Sequence, residues 1–155
     1  MAEALEKKNA LIIPTSMGLI LTPVNSQPFH CSHTFKMQAT SAESNVGSTA
    51  SYLGLPVKIL TAFVKGSPIA RIIKDNLASR HMDYEGKEVE QGGPWGYRHQ
   101  INIADTGYGS RGPRVHNDRA GEVGLTLGLR ALVVVRGTQQ LRVVGPLVAS
   151  LGAVV

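Results

Sequence analysis

From Val57 to about Arg80 the chain reads as a strand running straight into a helix, and this junction limits the possible folds more than any other stretch. Val57–Phe63, VKILTAF, is apolar and rich in β-branched residues, as a buried strand requires. Ser67 is placed to cap a helix whose first position is Pro68, where the missing proline N–H would have no intrahelical partner anyway. Ile69, Ile72, Ile73 and Leu77 then recur at helical spacing and define the inward face. The same order occurs upstream. Asn9–Pro14 is a short apolar run bounded by polar residues and a proline, which fits a buried first strand. Ser44–Leu53 spaces Val46, Ala50 and Leu53 for one buried helical face, with Gly54 as C-cap and Pro56 barring continuation. Strand, helix, strand, helix in short order specifies an α/β fold with a parallel sheet.

Between the first strand and the first helix lie two further apolar stretches, Met17–Val24 and Phe29–Gln38, separated by the turn residues Asn25-Ser26-Gln27-Pro28. They suggest a hairpin excursion from the main sheet. Beyond the second helix, Gln91–Gly96 is a glycine-rich loop, read either as a lid hinge or as a tight turn. Tyr97–Asp105 alternates as a strand, Thr106–Pro113 turns, and Val115–Gly121 pairs back. At 155 residues there is material for one core and not for two.

Composition narrows the function classes. The formal charge of +5 admits a nucleic-acid partner, but aromatics make up 5% and the basic residues are scattered. An anionic small molecule accounts for the bias equally well. Cys31 stands alone and forms no internal disulfide, and no apolar run reaches the roughly 18–20 residues of a membrane span. The N-terminus, MAEALEKKNALIIP, lacks the form of a cleaved signal, so a cytoplasmic location is expected. His30-Cys31-Ser32-His33 offers three metal-ligating side chains without a second cluster to complete a site. There is no GxxxxGK[ST] phosphate loop; Gly107–Gly112 reads as a hairpin turn.

The stretch with most chemical content is Gln38–Gly54, QATSAESNVGSTASYLG, a short polar loop that turns directly into a helix. Free N–H groups and the positive end of a helix dipole converge there, which suits a hydroxylated or anionic small molecule.

Ala42-Glu43-Ser44-Asn45-Val46 resembles the second part of the "GG-A-E-A-N-V-A" sugar-binding segment of PfkB-type (ribokinase-like) carbohydrate kinases, and the 2-keto-3-deoxygluconate kinase branch in particular. Tyr52-Leu53-Gly54 matches the end of that family's helix, Val57–Ala62 its next strand, and Val115–Gly121, VHNDRAG, its "V-Y-D-R-A-G-S-A" strand returning from the lid. The resemblance covers roughly residues 9 to 123, the N-terminal half of such an enzyme. It implies a partial ribokinase-like fold: a parallel sheet with flanking helices and a β lid, incomplete at its C-terminal side. It implies a sugar or sugar acid as ligand, with Asn45 bonding a hydroxyl. Thr40 and Ser41 stand where the family has two glycines, and Pro14-Thr15-Ser16 stands where it has an acidic residue. Arg98 and Asn102 fall on one side of a lid strand as contacts for a carboxylate or hydroxyls, or as solvated strand residues. Arg119 is placed to support the lid or to pair with Asp118.

The family's catalytic base lies in a "G-A-G-D" motif, and no such motif occurs here. ATP and Mg2+ belong to the parent family, and neither is expected to bind this chain. The expectation is a truncated kinase, inactive alone, for which no catalytic residue and no metal ligand is named. The alternatives are a small sugar-acid-binding module without catalysis and a basic nucleic-acid adaptor. A homodimer through the lid strands Tyr97–Asp105 and Val115–Arg119 follows from the resemblance. Residues 124–155 form a separate region, with no acidic residue, lysine or aromatic. They read as two strands joined at Gly137–Gln140 or, the reading preferred here, as an out-of-frame continuation.

Overall fold

A computed structural model describes residues 9–94, 96–107 and 109–127. In chain order the elements are β1 (Leu11–Pro14), β2 (Gly18–Pro23), β3 (Phe35–Thr40), α1 (Ala42–Tyr52), β4 (Val57–Val64), α2 (Pro68–Ser79), β5 (Asp83–Val89), β6 (Ile101–Asp105) and β7 (Arg114–Asp118). They form two sheets. The main sheet has the order β1-β4-β5 and is parallel throughout, as the alternation of strands and helices requires. The second sheet, β3-β2-β6-β7, contains the strands read above as the lid and is called the lid below. Its hairpins β2–β3 and β6–β7 are antiparallel, and they join side by side through parallel β2–β6 pairing.

Both helices pack on one face of the main sheet. In α2, Ala70, Ile73 and Leu77 are buried, Ile69 and Ile72 pack beside them, and Ser67 caps the helix by accepting from the Ile69 N–H at 3.2 Å. That agrees with the sequence pattern. In α1 the buried face differs from the expected one. Val46 is 49% and Leu53 78% exposed, while Ser44 and Gly47 are buried. The contact is made by small residues because the helix lies close to the sheet. A Cβ on Gly47 would stand 2.8 Å from Ile13 Cδ1, with Met82 Sδ and Val57 Cγ1 just beyond. A pattern based on large apolar residues therefore picks the wrong side of this helix.

Two strand starts also differ, and one strand is additional. Phe29–Cys31 is a 3-10 turn rather than the start of β3, its Phe29 ring tilted 39° against Phe35 with centroids 4.9 Å apart. β6 begins at Ile101, since Tyr97–Gln100 form the connection into the lid. β5 has no counterpart in the sequence reading. Its sequence, DYEGKEV, is polar and largely exposed because it is the outer strand of the main sheet. Lys58–Glu85 (3.1 Å) and Lys74–Glu88 (2.7 Å) tie it to β4 and α2.

On the opposite face of the sheet, Ala62 and Val64 are covered by Val123, with Val89 and Leu127 alongside. Val123–Thr126 is a 3-10 turn. Of the tail expected to be two strands or an out-of-frame continuation, residues 124–155, the first few belong to this turn and Leu127 packs beside Val123, while residues 128–155 lie outside the described residues.

Candidate functional site

Ligands of parallel α/β sheets bind beyond the carboxyl ends of the strands. Here the carboxyl end of β1 is where three segments converge. The Thr15 N–H donates to the Leu60 carbonyl at 2.9 Å, extending the β1–β4 ladder by one residue. The Thr15 hydroxyl donates to Glu43 Oε2 of α1 at 2.8 Å. The Ser16 hydroxyl donates to Glu122 Oε2 at 3.2 Å, at the point where the chain returns from the lid. Arg119 grips the other Glu122 oxygen through Nε (3.1 Å) and Nη2 (2.7 Å). Arg119 thus supports the base of the lid, and its acidic partner is Glu122 rather than Asp118. Asp118 is taken by Arg98, which donates to its carboxylate at 2.6 Å and to the Ala120 carbonyl at 2.7 Å.

The N-terminus of α1 is partly occupied by the chain's own side chains. Ser41, the N-cap, accepts from the Ser44 N–H at 2.8 Å, and the Ser44 hydroxyl accepts from the Ser41 N–H at 3.1 Å. Glu43 supplies a carboxylate in the first turn. The capping box satisfies the Ser41 and Ser44 N–H groups, and the Glu43 carboxylate lies in the first turn near the positive dipole end.

The other residues selected from sequence are distributed as follows. Asn45 is exposed on α1, two residues beyond Glu43, so about 200° around the helix from it. Arg98 lies outside the strand, three residues before β6, while Asn102 lies within β6. Asn102 pairs with Ile20 and Asn117, and its Oδ1 is buried without a hydrogen-bond partner. By register, Asn102 shares a lid face with Gln38 and, one row further, with Thr40. The structure brings Thr40 and Asn102 onto one surface and gives Arg98 and Arg119 to ion pairs.

His99 was not among the residues selected from sequence. It is 1% exposed and joins lid and main sheet. Nε2 lies 3.2 Å from the Val64 N–H, a group that only donates, so this nitrogen is the acceptor. Nδ1 then carries the proton and donates to the Met17 carbonyl at 3.1 Å. Burial pushes the imidazole pKa below its ordinary value; the Met17 bond opposes this and the Lys74 charge adds to it. In the lid, the Arg111 hydrogen bond to Asp105 (3.0 Å) holds that carboxyl below its ordinary value, with the Gly107 N–H contributing.

Among the described residues no group of three or more His, Cys, Asp and Glu is placed to hold a metal, His30, Cys31 and His33 included. An open groove lined by Lys58, His81, Asp83 and Tyr84 sits at the amino ends of β4 and β5, away from the end where parallel sheets bind ligands.

No family model and no curated protein matches the sequence. Solved structures do match the fold. A PfkB family carbohydrate kinase from Listeria grayi superposes with a TM-score of 0.65 at 22% identity, over 76% of this chain and 35% of that one. A 2-dehydro-3-deoxygluconokinase from Thermotoga maritima gives 0.68 at 18%, over 78% and 35%. A sugar kinase from Pyrococcus horikoshii in complex with ATP gives 0.59 at 15%, over 79% and 39%. The chain has the fold of PfkB-type carbohydrate kinases and spans little more than a third of the length of these three.

Proposed function

We propose that this chain is the sugar-binding part and lid of a PfkB-type carbohydrate kinase and that it does not phosphorylate sugars on its own. The observation that carries this reading is the unequal coverage: 76% of this chain against 35% of the Listeria kinase. Phosphoryl transfer needs nucleotide, metal and acceptor held together. The parent chemistry uses ATP and Mg2+, and this sequence carries neither a GxxxxGK[ST] phosphate loop nor the GAGD motif of the parent family's catalytic base. No catalytic step is assigned to this chain.

What the chain retains is a place for a hydroxylated ligand between the end of β1, the start of α1 and the lid face that carries Thr40 and Asn102. Asn45 at the rim of α1 is the candidate hydroxyl contact from the sequence motif. Two lids pairing through their strands would form a homodimer. We place the protein in the cytoplasm; among the described residues no helix is long and apolar enough to cross a membrane.

The test is a pair of measurements on the purified 155-residue chain. ATP consumption with ribose, fructose or 2-keto-3-deoxygluconate is expected to stay at background. Calorimetry against the same sugars is expected to show stoichiometric binding to at least one. Turnover would overturn the inactive reading, and absence of all binding would overturn the site.

A further inference from the structure

We infer that Glu122 is a latch that fixes the lid against the main sheet before any ligand arrives, so that the lid does not swing on the glycine-rich loop Gln91–Gly96. Glu122 does this whether or not the chain binds a sugar. It is also a point of departure in sequence: in VHNDRAGE, residues 115–122, the glutamate stands where the family motif quoted above has serine.

The Glu122 side chain is 7% exposed, and its oxygens serve different segments. Oε1 accepts from Nε and Nη2 of Arg119, which directly follows β7. Oε2 accepts from the hydroxyl of Ser16, just before β2 and 106 residues away in sequence. One carboxylate thus holds the roots of two lid strands at a single point. The next residue, Val123, is 1% exposed and covers Ala62 and Val64 of β4, which anchors that point to the main sheet. A swing of the lid would strip partners from a buried carboxylate and uncover Val123 in the same movement, and both losses oppose it.

A separate observation comes from the other two lid strands. At the root of β3, the Ala39 N–H donates to Asn76 Oδ1 of α2 at 3.1 Å, and the Ala39 carbonyl accepts from Arg80 Nη2 at the end of that helix at 3.2 Å. Before β6, His99 bridges the Met17 carbonyl and the Val64 N–H. All four lid strands are therefore held at their roots. The loop that would serve as a hinge is closed on itself: the Tyr97 N–H donates to the Gln91 carbonyl at 2.9 Å, and the Gly96 N–H to the Gly93 carbonyl at 3.1 Å. It acts as a tight turn. The lid surface that carries Thr40 and Asn102 is accordingly preformed in the free protein.

Amide hydrogen exchange on the ligand-free 155-residue chain tests this. The Ala39 and Val64 amides bond across the joint, and the Val123 amide lies within it, bonded to the Arg98 carbonyl. In the wild type all three are expected to exchange within about tenfold of the slowest β4 amides, as in a joint that opens only with the whole fold. Glu122→Gln should speed all three by about a further tenfold relative to those β4 amides, the effect of losing one charge-assisted hydrogen bond. Ser16→Ala leaves the Arg119 pair in place and should give the same pattern to a smaller degree; it decides the matter if Glu122→Gln does not fold. Wild-type joint amides that exchange faster than this limit overturn the latch. So does a variant that speeds every amide alike, which is a plain loss of stability, or Val123 alone, which is local fraying, or none of them.

Discussion

At the scale of single residues, the fold depends on how closely backbone and side chain approach at a few points. Gly47 is the clearest. Its missing side chain lets α1 settle against Ile13 and Val57, and any Cβ there must push the helix off the sheet. Gly47→Val is expected to destabilise the protein by about 1–3 kcal/mol, the usual cost of overpacking, offset by only a few tenths from the better helix propensity of valine. Urea titration checks it, and an unchanged midpoint would show that the helix can retreat at no cost. Ser41→Ala removes the acceptor for the Ser44 N–H and is expected to cost about 1 kcal/mol by the same measurement. Neither effect is visible in a hydrophobic pattern. The pattern for α1 counted Val46 and Leu53 as inward because they are large and apolar, whereas the space available between helix and sheet admits Ser44 and Gly47. The helix itself was legible from its Ser-rich start and Gly54; which side it buries was not, since that depends on the distance to a sheet formed elsewhere in the chain.

Among elements, the decisive joint is the one between lid and main sheet, and His99 is its fastener. The imidazole accepts from Val64 of β4 and donates to Met17 before β2, so protonating Nε2 would set an N–H against an N–H. Of the charged groups on the packed elements, Lys74 disfavours the protonated ring. Lys74 of α2 lies over the Phe63 ring and pairs with Glu88 of β5, while Lys65, following β4, pairs with Glu90. With its pKa depressed by burial, folded His99 takes up a proton at lower pH than the unfolded chain, whose ordinary value is 6.5. Between those two values the unfolded state binds more protons, so stability rises with pH there. The contribution is complete above 6.5 and is lost as pH falls through the folded value. Chemical unfolding at a series of pH values should show that loss, and His99→Gln should flatten it; an equal slope in the variant would assign it to other groups. Asp105 acts in a separate, more acidic window. The Arg111 bond depresses it, so its contribution is present above the ordinary value of 3.8 and lost as pH falls below. The strands that His99 joins were readable as apolar runs. The joint was not, because one histidine carries no signal of the two backbone groups, 82 and 35 residues away, that it meets. β5 was missed for a related reason: as the outermost strand it is held by backbone pairing and ion pairs, which leave no apolar alternation to read.

For the whole molecule, the lid presents two unlike faces. Register places Leu21 opposite both Met37 and Ile103, and Ile101 opposite Leu19, so these residues share one face. At its root, Leu19 and Ala39 are buried with the core. Farther out Met37 is 54% exposed and Leu21, Ile101 and Ile103 are half-buried, so the apolar face extends beyond the shelter of α2. The other face carries Gln38, Asn102 and Asn117, with Val115 at its edge 63% exposed. An apolar surface flanked by polar residues on a small protein favours self-association, and two lids meeting on their apolar faces would cover it while leaving the Asn102 face to a ligand. Sedimentation velocity is expected to show a dimer that dissociates on dilution. Ile103→Glu, which places a charge in the centre of the buried face, should yield monomer across the same range with little change in the unfolding temperature, because Ile103 is already partly exposed. Val115→Glu, on the opposite face and similarly placed in the sheet, should leave the dimer intact. A dimer that survives Ile103→Glu but not Val115→Glu would reverse the assignment of faces and put the ligand surface inside the interface.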